Sequence, residues 1–135
     1  MGPWFVVKLY LLTFTVFMAI DLLWLGVIAR RFYRAQLAHL LADTTRWPAA
    51  IAFYLIYVAG ILVMAILPGV EAGSLDKTLL LAAGFGFFTY ITYELTNMAT
   101  LPDWPLRLVL VDTLWGVVLC TLVGAAGFSL AQLLG

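Results

Sequence analysis

The sequence predicts an all-α integral membrane protein, built as a four-helix bundle with a short amphipathic surface helix between the first two spanning helices. The chain is 65% apolar and only 10% charged over 135 residues, with a mean hydropathy of +1.10, whereas soluble domains are nearer half apolar and a quarter charged. The apolar residues also fall into four stretches of about 20 residues, the length that a spanning helix needs. We therefore expect one transmembrane domain over residues 1–135, with the lipid bilayer as its solvent.

Arginine and proline residues mark the ends of these stretches. Arg30 and Arg31 end the first stretch, and Pro48 suits the first turn of the second helix. Pro68, followed by glycine, is expected to end that helix, and residues 101–105, with two prolines, form a tight turn between the last two helices. We predict spanning helices at residues 5–29, 48–67, 78–100 and 106–134.

The connection after the first helix has a helical pattern of its own. Within residues 30–41, Tyr33, Leu37, Leu40 and Leu41 recur at helical spacing beside three arginines. This arrangement predicts a short amphipathic helix on the membrane surface, and a solvated loop is the alternative.

Basic residues indicate how the chain crosses the membrane. One side carries five arginines and the other carries Lys8 and Lys77, and cytoplasmic loops are enriched in basic residues. We expect the arginine side to face the cytoplasm and both termini to lie outside. The five arginines are Arg30, Arg31, Arg34, Arg46 and Arg107.

Three acidic residues lie within the predicted spans at a common depth. Asp21 precedes Arg30 by nine residues, Glu94 precedes the turn at 101–105 by seven, and Asp112 follows Arg107 by five. At about 1.5 Å per residue, all three lie roughly 7–14 Å below the arginine side. Carboxylates at such depth are costly and usually functional, so this layer is the candidate site.

Aromatic and amide residues share helix faces with these acids. A tryptophan follows Asp21 and another follows Asp112 at i+3, Glu94 shares one stripe with two tyrosines and an asparagine, and two tyrosines share a face of the second helix at the same depth. We interpret the set as a ligand-binding bowl that is open toward the cytoplasm. The candidate ligand-binding residues are Asp21, Trp24, Tyr54, Tyr57, Tyr90, Tyr93, Glu94, Asn97, Asp112 and Trp115.

Other interpretations of these residues stay open. The acids could be protonated or amide-paired groups that only join helices, and Trp47 and Trp104, beside prolines at loop edges, suit interfacial anchors. We predict no metal site and no cofactor, because metal-ligand spacings are lacking and Cys120 is the single cysteine. A net charge of zero gives no support for a nucleic-acid partner.

Several motifs together resemble a known family. They are the segment from Tyr93 to Leu101, Trp104, Asp112-x-x-Trp115-Gly116, Asp21-x-x-Trp24-Leu25-Gly26 and Phe32-Tyr33. Nearly the whole chain resembles a bacterial family of small predicted membrane proteins, known as a domain of unknown function and numbered twenty-one seventy-seven. The resemblance implies a bacterial inner membrane and a four-helix topology, but no activity or substrate.

Three functions fit the acidic layer. The first is binding or transport of a small cationic or amphipathic molecule, because carboxylates flanked by aromatic rings attract cations; transport would require a homo-oligomer, since four helices enclose little volume. The second is a membrane enzyme that acts on a lipid or isoprenoid-like substrate by carboxylate acid and base chemistry. The third is a structural or assembly subunit of a larger membrane complex.

Overall fold

The computed structural model describes residues 1–42 and 44–135, and in this part of the chain almost every residue is helical. Four of its helices are long and apolar enough to cross a membrane, so the predicted four-helix membrane architecture is confirmed. A short amphipathic helix joins the first two. The helices are α1 (Pro3–Ile28), α2 (Arg30–Leu37), α3 (Trp47–Ala72), α4 (Leu75–Thr100) and α5 (Leu106–Leu134).

The second spanning helix continues past its predicted end. Pro68 was expected to stop the helix at Leu67, but α3 runs on to Ala72. A π-helical segment, Leu62–Ile66, ends two residues before this proline. Its wider turn changes which carbonyls are bonded, and so lets the helix pass a residue that has no N–H to donate. Residues 68–77, which lie between the second and third predicted helices, are therefore almost entirely helical.

The connection between α3 and α4 is a two-residue turn. Gly73 adopts a left-handed conformation with φ of 62°, which glycine reaches without steric cost. The Ser74 backbone N–H donates to the Gly69 carbonyl at 3.0 Å, and the Ser74 hydroxyl accepts from the Lys77 N–H at 3.1 Å. These bonds close one helix and cap the next.

Small residues bring α4 and α5 into direct backbone contact. A Cβ added to Gly86 would overlap the Gly116 carbonyl and press on Cys120, and one added to Gly124 would press on Ala82. Gly84, only two residues away, has open space around it. Close approach of this kind is a common way for spanning helices to associate, and it fixes the antiparallel register of the α4–α5 pair.

The main apolar core extends from the half of the bundle near the chain termini to its middle. Leu9 and Phe17 of α1, Ile61 of α3 and Leu119 of α5 are fully buried there. The other half is called here the arginine end, because Arg30, Arg31, Arg34, Arg46 and Arg107 all lie at it. Helix α2 lies across the arginine end, where Phe32, Tyr33 and Leu37 pack against Trp104, Leu108 and Val109.

Candidate functional site

A cavity of about 560 Å³ occupies the arginine end of the bundle. Every spanning helix contributes to its wall, and α2 and the α4–α5 turn contribute residues on the side of the arginines. Most of the lining is aromatic or aliphatic, and three carboxyl groups interrupt it. The lining residues are Asp21, Leu25, Tyr33, Leu37, Phe53, Tyr54, Tyr57, Thr89, Tyr90, Tyr93, Glu94, Trp104, Leu108, Asp112 and Trp115.

Asp21 is held by two aromatic donors from different helices. The buried face of α1 repeats every four residues from Leu9 and reaches Asp21 as its last member. The Tyr54 hydroxyl donates to Oδ2 at 2.9 Å, and the Trp115 indole N–H donates to Oδ1 at 3.3 Å. Each carboxyl oxygen therefore has one donor, and these bonds join α1 to α3 and to α5.

Glu94 and Asp112 face each other across the α4–α5 interface. The two side chains are 1% and 8% exposed, and their carboxyl groups are close neighbours across this interface. The contact between Gly86 and Cys120 sets the register that brings them together. Glu94 lies eight residues after Gly86 on α4, and Asp112 lies eight residues before Cys120 on the antiparallel α5. A hydrogen bond between two carboxyl groups requires one proton between them.

Each member of this pair also has an aromatic donor. The Tyr33 hydroxyl donates to Asp112 Oδ1 at 2.6 Å, and the Trp104 indole N–H donates to Glu94 Oε1 at 3.2 Å. Burial and the nearby Asp112 carboxyl raise the pKa of Tyr33, so its hydroxyl keeps its proton and acts as a donor. Helix α2 and the α4–α5 turn are thus tied to the acidic pair.

A stacked tryptophan pair supports one wall of the cavity. Trp24 and Trp115 lie nearly parallel, with ring centroids 4.3 Å apart and an interplanar angle of 10°. The Trp24 indole N–H donates to the Tyr33 hydroxyl at 3.1 Å. The π-helical turn of α1 begins at Trp24, and such turns are frequent at functional sites. The stack therefore connects the hydrogen bonds at Asp21, which Trp115 makes, with those at Asp112, which Trp24 reaches through Tyr33.

A second network closes the inner end of the cavity. The Tyr57 hydroxyl lies 2.7 Å from Thr89 Oγ1 and 3.3 Å from Cys120 Sγ. Tyr90 packs so closely on Gly116 that a Cβ there would overlap its ring. These contacts join α3, α4 and α5 beneath the carboxyl groups.

Eight of the ten residues predicted as a ligand site line this one cavity. Trp24 lies behind the wall, stacked on Trp115. Asn97 is half-buried and lies outside the lining, because it is nearly one helical turn beyond Glu94 toward the end of α4. The eight that meet are Asp21, Tyr54, Tyr57, Tyr90, Tyr93, Glu94, Asp112 and Trp115.

Two aromatic residues that donate hydrogen bonds to the carboxyl groups of the cavity were not among the predicted set. Trp104 was expected at the membrane interface, but it is 8% exposed and its indole N–H donates to Glu94. The position differs from the expected one because the α4–α5 turn directs the indole back over the bundle. Tyr33 was assigned to a surface helix, but its ring turns inward to Asp112. The sequence did contain one signal for the pairing of Glu94 with Asp112, since the two residues are equally distant from Asp103 at the centre of the turn.

The cavity is acidic without a balancing base. Among its lining residues, all in the described part of the chain, none is lysine, arginine or histidine. Within residues 1–42 and 44–135, no three acidic, cysteine or histidine side chains are grouped to hold a metal ion. The arrangement offers negative charge, aromatic faces and hydrogen-bond donors in an otherwise apolar enclosure.

The family model described as "predicted membrane protein (DUF2177)" matches residues 6–129 of the chain. Because this match covers most of its length, the protein belongs to that family of membrane proteins. No curated protein and no solved structure matches it.

Proposed function

We propose that this DUF2177 protein binds a small organic cation in the cavity at its arginine end. One observation carries the proposal: three carboxyl groups from α1, α4 and α5 line a cavity of about 560 Å³ whose lining includes no basic side chain. A negative charge within the membrane is costly unless a cation or a proton balances it. A bound ammonium group would supply that balance.

The aromatic lining supports an organic cation rather than a bare metal ion. An ammonium group gains from the faces of tryptophan and tyrosine rings when it lies within about 6 Å of their centres. Trp104 and Trp115 direct their indole N–H groups to carboxyl oxygens, and Tyr90 and Tyr93 line the same space. The volume also suits an organic molecule, since ligand cavities commonly measure about 300–1,000 Å³.

The excess of arginines at the end nearest the cavity favours a cytoplasmic position for that end. We therefore propose that the cavity opens toward the cytoplasm of a bacterial cell, with both termini outside. Four helices enclose little volume, so transport of the cation would require a homo-oligomer. Binding alone requires only the single chain.

A thermal-stability experiment tests the cation site. The protein in non-ionic maltoside detergent would be titrated with benzyltrimethylammonium and with its uncharged carbon isostere. Saturation at 100 times Kd should stabilise the protein by about 2.7 kcal/mol, and the isostere should give no shift. Asp112→Asn and Glu94→Gln should each weaken binding at least tenfold.

Asp76→Asn provides the matched control, because Asp76 is exposed at the opposite end of α4 and should not affect binding. If no amine stabilises the protein and the amide variants melt like wild type, the acids are structural groups. The third function, a subunit of a larger complex, would then be favoured.

The facing of Glu94 and Asp112 also supports a second candidate, a membrane enzyme. A protonated and an ionised carboxyl at one cavity wall could act as general acid and general base on a lipid or isoprenoid-like substrate. Incubation of the protein with membrane lipid extracts, followed by mass spectrometry, tests this. A product that both Asp112→Asn and Glu94→Gln abolish would favour the enzyme over the binding protein.

A further inference from the structure

The contacts of α3 point to a side opening of the cavity between α3 and α4. The first part of α3, Trp47–Ile61, packs mainly against α1, whereas its π-helical segment Leu62–Ile66 packs against both α4 and α5. Helix α3 is therefore held in the bundle by its inner half. Its outer half diverges from α4 toward the arginine end.

The edges of this opening are defined by residues at both sides. The hydrogen bond between Tyr57 and Thr89 closes its inner end. One turn nearer the arginine end on each helix lie Phe53 and Tyr93, which both line the cavity. These two large side chains are nonetheless 48% and 54% exposed. They have one side in the cavity and the other on the outer surface of the bundle.

The opening lies at the depth of the lipid chains. Phe53 is six residues inward from Trp47, or roughly 9 Å along α3, and Tyr93 is seven residues inward from Thr100, or roughly 10 Å along α4. Trp47 is exposed beside Arg46, a combination typical of the interface between headgroups and chains. An opening below that level faces hydrocarbon.

We propose that the natural ligand is an amphipathic amine that enters from the bilayer between Phe53 and Tyr93. Its ammonium headgroup occupies the cavity, and its hydrocarbon part remains in the membrane. This inference rests on the proposed cation site and specifies its substrate class. A lipid with an amine headgroup and a lipophilic single-chain amine share this chemistry.

The first experiment compares ligands of different hydrocarbon size. The protein is reconstituted in nanodiscs of neutral glycolipid, which carries no amine. Tryptophan fluorescence follows the binding of three amines: benzyltrimethylammonium, a one-chain alkylammonium and a two-chain alkylammonium. Each affinity is calculated from the concentration of the amine dissolved in the bilayer, so that differences in partitioning do not count as differences in binding. Since the two-chain amine is too large for the cavity to enclose, only an opening to the bilayer lets it bind.

We expect both chain-bearing amines to bind with affinities within about threefold of each other, and Asp112→Asn to weaken both at least tenfold. Binding of the one-chain amine alone would restrict the class to single-chain compounds and refute a lipid ligand. Binding of benzyltrimethylammonium alone would overturn the inference and leave the cation site intact. Binding of no amine would overturn the cation site itself.

The second experiment blocks the opening. Tyr93→Cys is labelled with a bulky maleimide, and Ile56→Cys, exposed on α3 but outside the cavity lining, serves as the matched control. Native Cys120 is fully buried and should stay unlabelled. Labelling at Tyr93→Cys should slow association of the one-chain amine at least tenfold, and labelling at Ile56→Cys should not. Equal rates in the two labelled variants would refute side access.

Discussion

Substitution of Asp21 separates its role as a charge from its role as a hydrogen-bond acceptor. Asp21→Asn keeps one acceptor for the Trp115 indole N–H and places an amide donor toward the Tyr54 hydroxyl, which can accept. Asp21→Leu has a similar size but can accept neither bond. The two variants therefore differ in hydrogen bonding while both remove the negative charge.

The expected magnitudes follow from these contacts. Hydrogen bonds between membrane helices contribute about 0.6 kcal/mol each and at most about 1.7, so Asp21→Leu should lower the free energy of unfolding by about 1–3 kcal/mol. Asp21→Asn should lower it by less than about 0.5 kcal/mol. A unit charge about 6 Å from a bound ammonium contributes ~3 kcal/mol at an effective dielectric of 20, so both variants should weaken amine binding ~100-fold.

Reversible unfolding in mixed micelles measures the first quantity, and titration with benzyltrimethylammonium measures the second. Asp76→Asn, exposed and distant from the cavity, controls for the loss of a charge and should change neither by much. If Asp21→Asn binds the amine as tightly as wild type, the charge of Asp21 has no part in binding. If Asp21→Leu is as stable as wild type, the two hydrogen bonds do not hold α1 in place.

Three further predictions concern the frame of the cavity. Gly86→Ala should lower the free energy of unfolding by about 1–3 kcal/mol through overpacking, measured by unfolding in micelles, whereas Gly84→Ala, with open space around it, should be neutral or slightly stabilising. Tyr33→Phe removes the donor to Asp112 and should make α2 more accessible to protease; unchanged cleavage would contradict this. Trp104→Phe should leave the helices intact by circular dichroism and reduce amine affinity several-fold, and equal affinity would exclude Trp104 from the site.

Some features of the candidate site could be predicted from helical periodicity in the sequence, and others could not. Depth along each helix could be read from the sequence, because every residue adds a fixed rise, and the face of each acid followed from helical spacing. The inward positions of Trp104 and Tyr33 could not be read in this way. Both lie outside the spanning segments. Helical spacing placed Tyr33 on the apolar face of α2, but neither spacing nor hydropathy determined whether that face, or the Trp104 indole, contacts lipid or the bundle.

The course of α3 past Pro68 was also beyond the sequence pattern. Local rules treat a proline followed by glycine as a stop, and they hold for a regular α-helix. Packing of the π-helical segment Leu62–Ile66 against α4 and α5 stabilises a wider turn in which the missing N–H is tolerated. The same packing leaves the outer half of α3 apart from α4, which is where we infer the side opening of the cavity.

The sequence by itself determined the membrane architecture, the four spanning helices and the acidic layer, because hydrophobic length and helical geometry are local properties. The tertiary structure decided which groups meet. Contact between Gly86 and Gly116 sets the register that opposes Glu94 to Asp112, and donors from α3 and α5 meet at Asp21. Such meetings depend on helix separation and rotation, which arise from the packing of all the helices together rather than from the pattern of any single one.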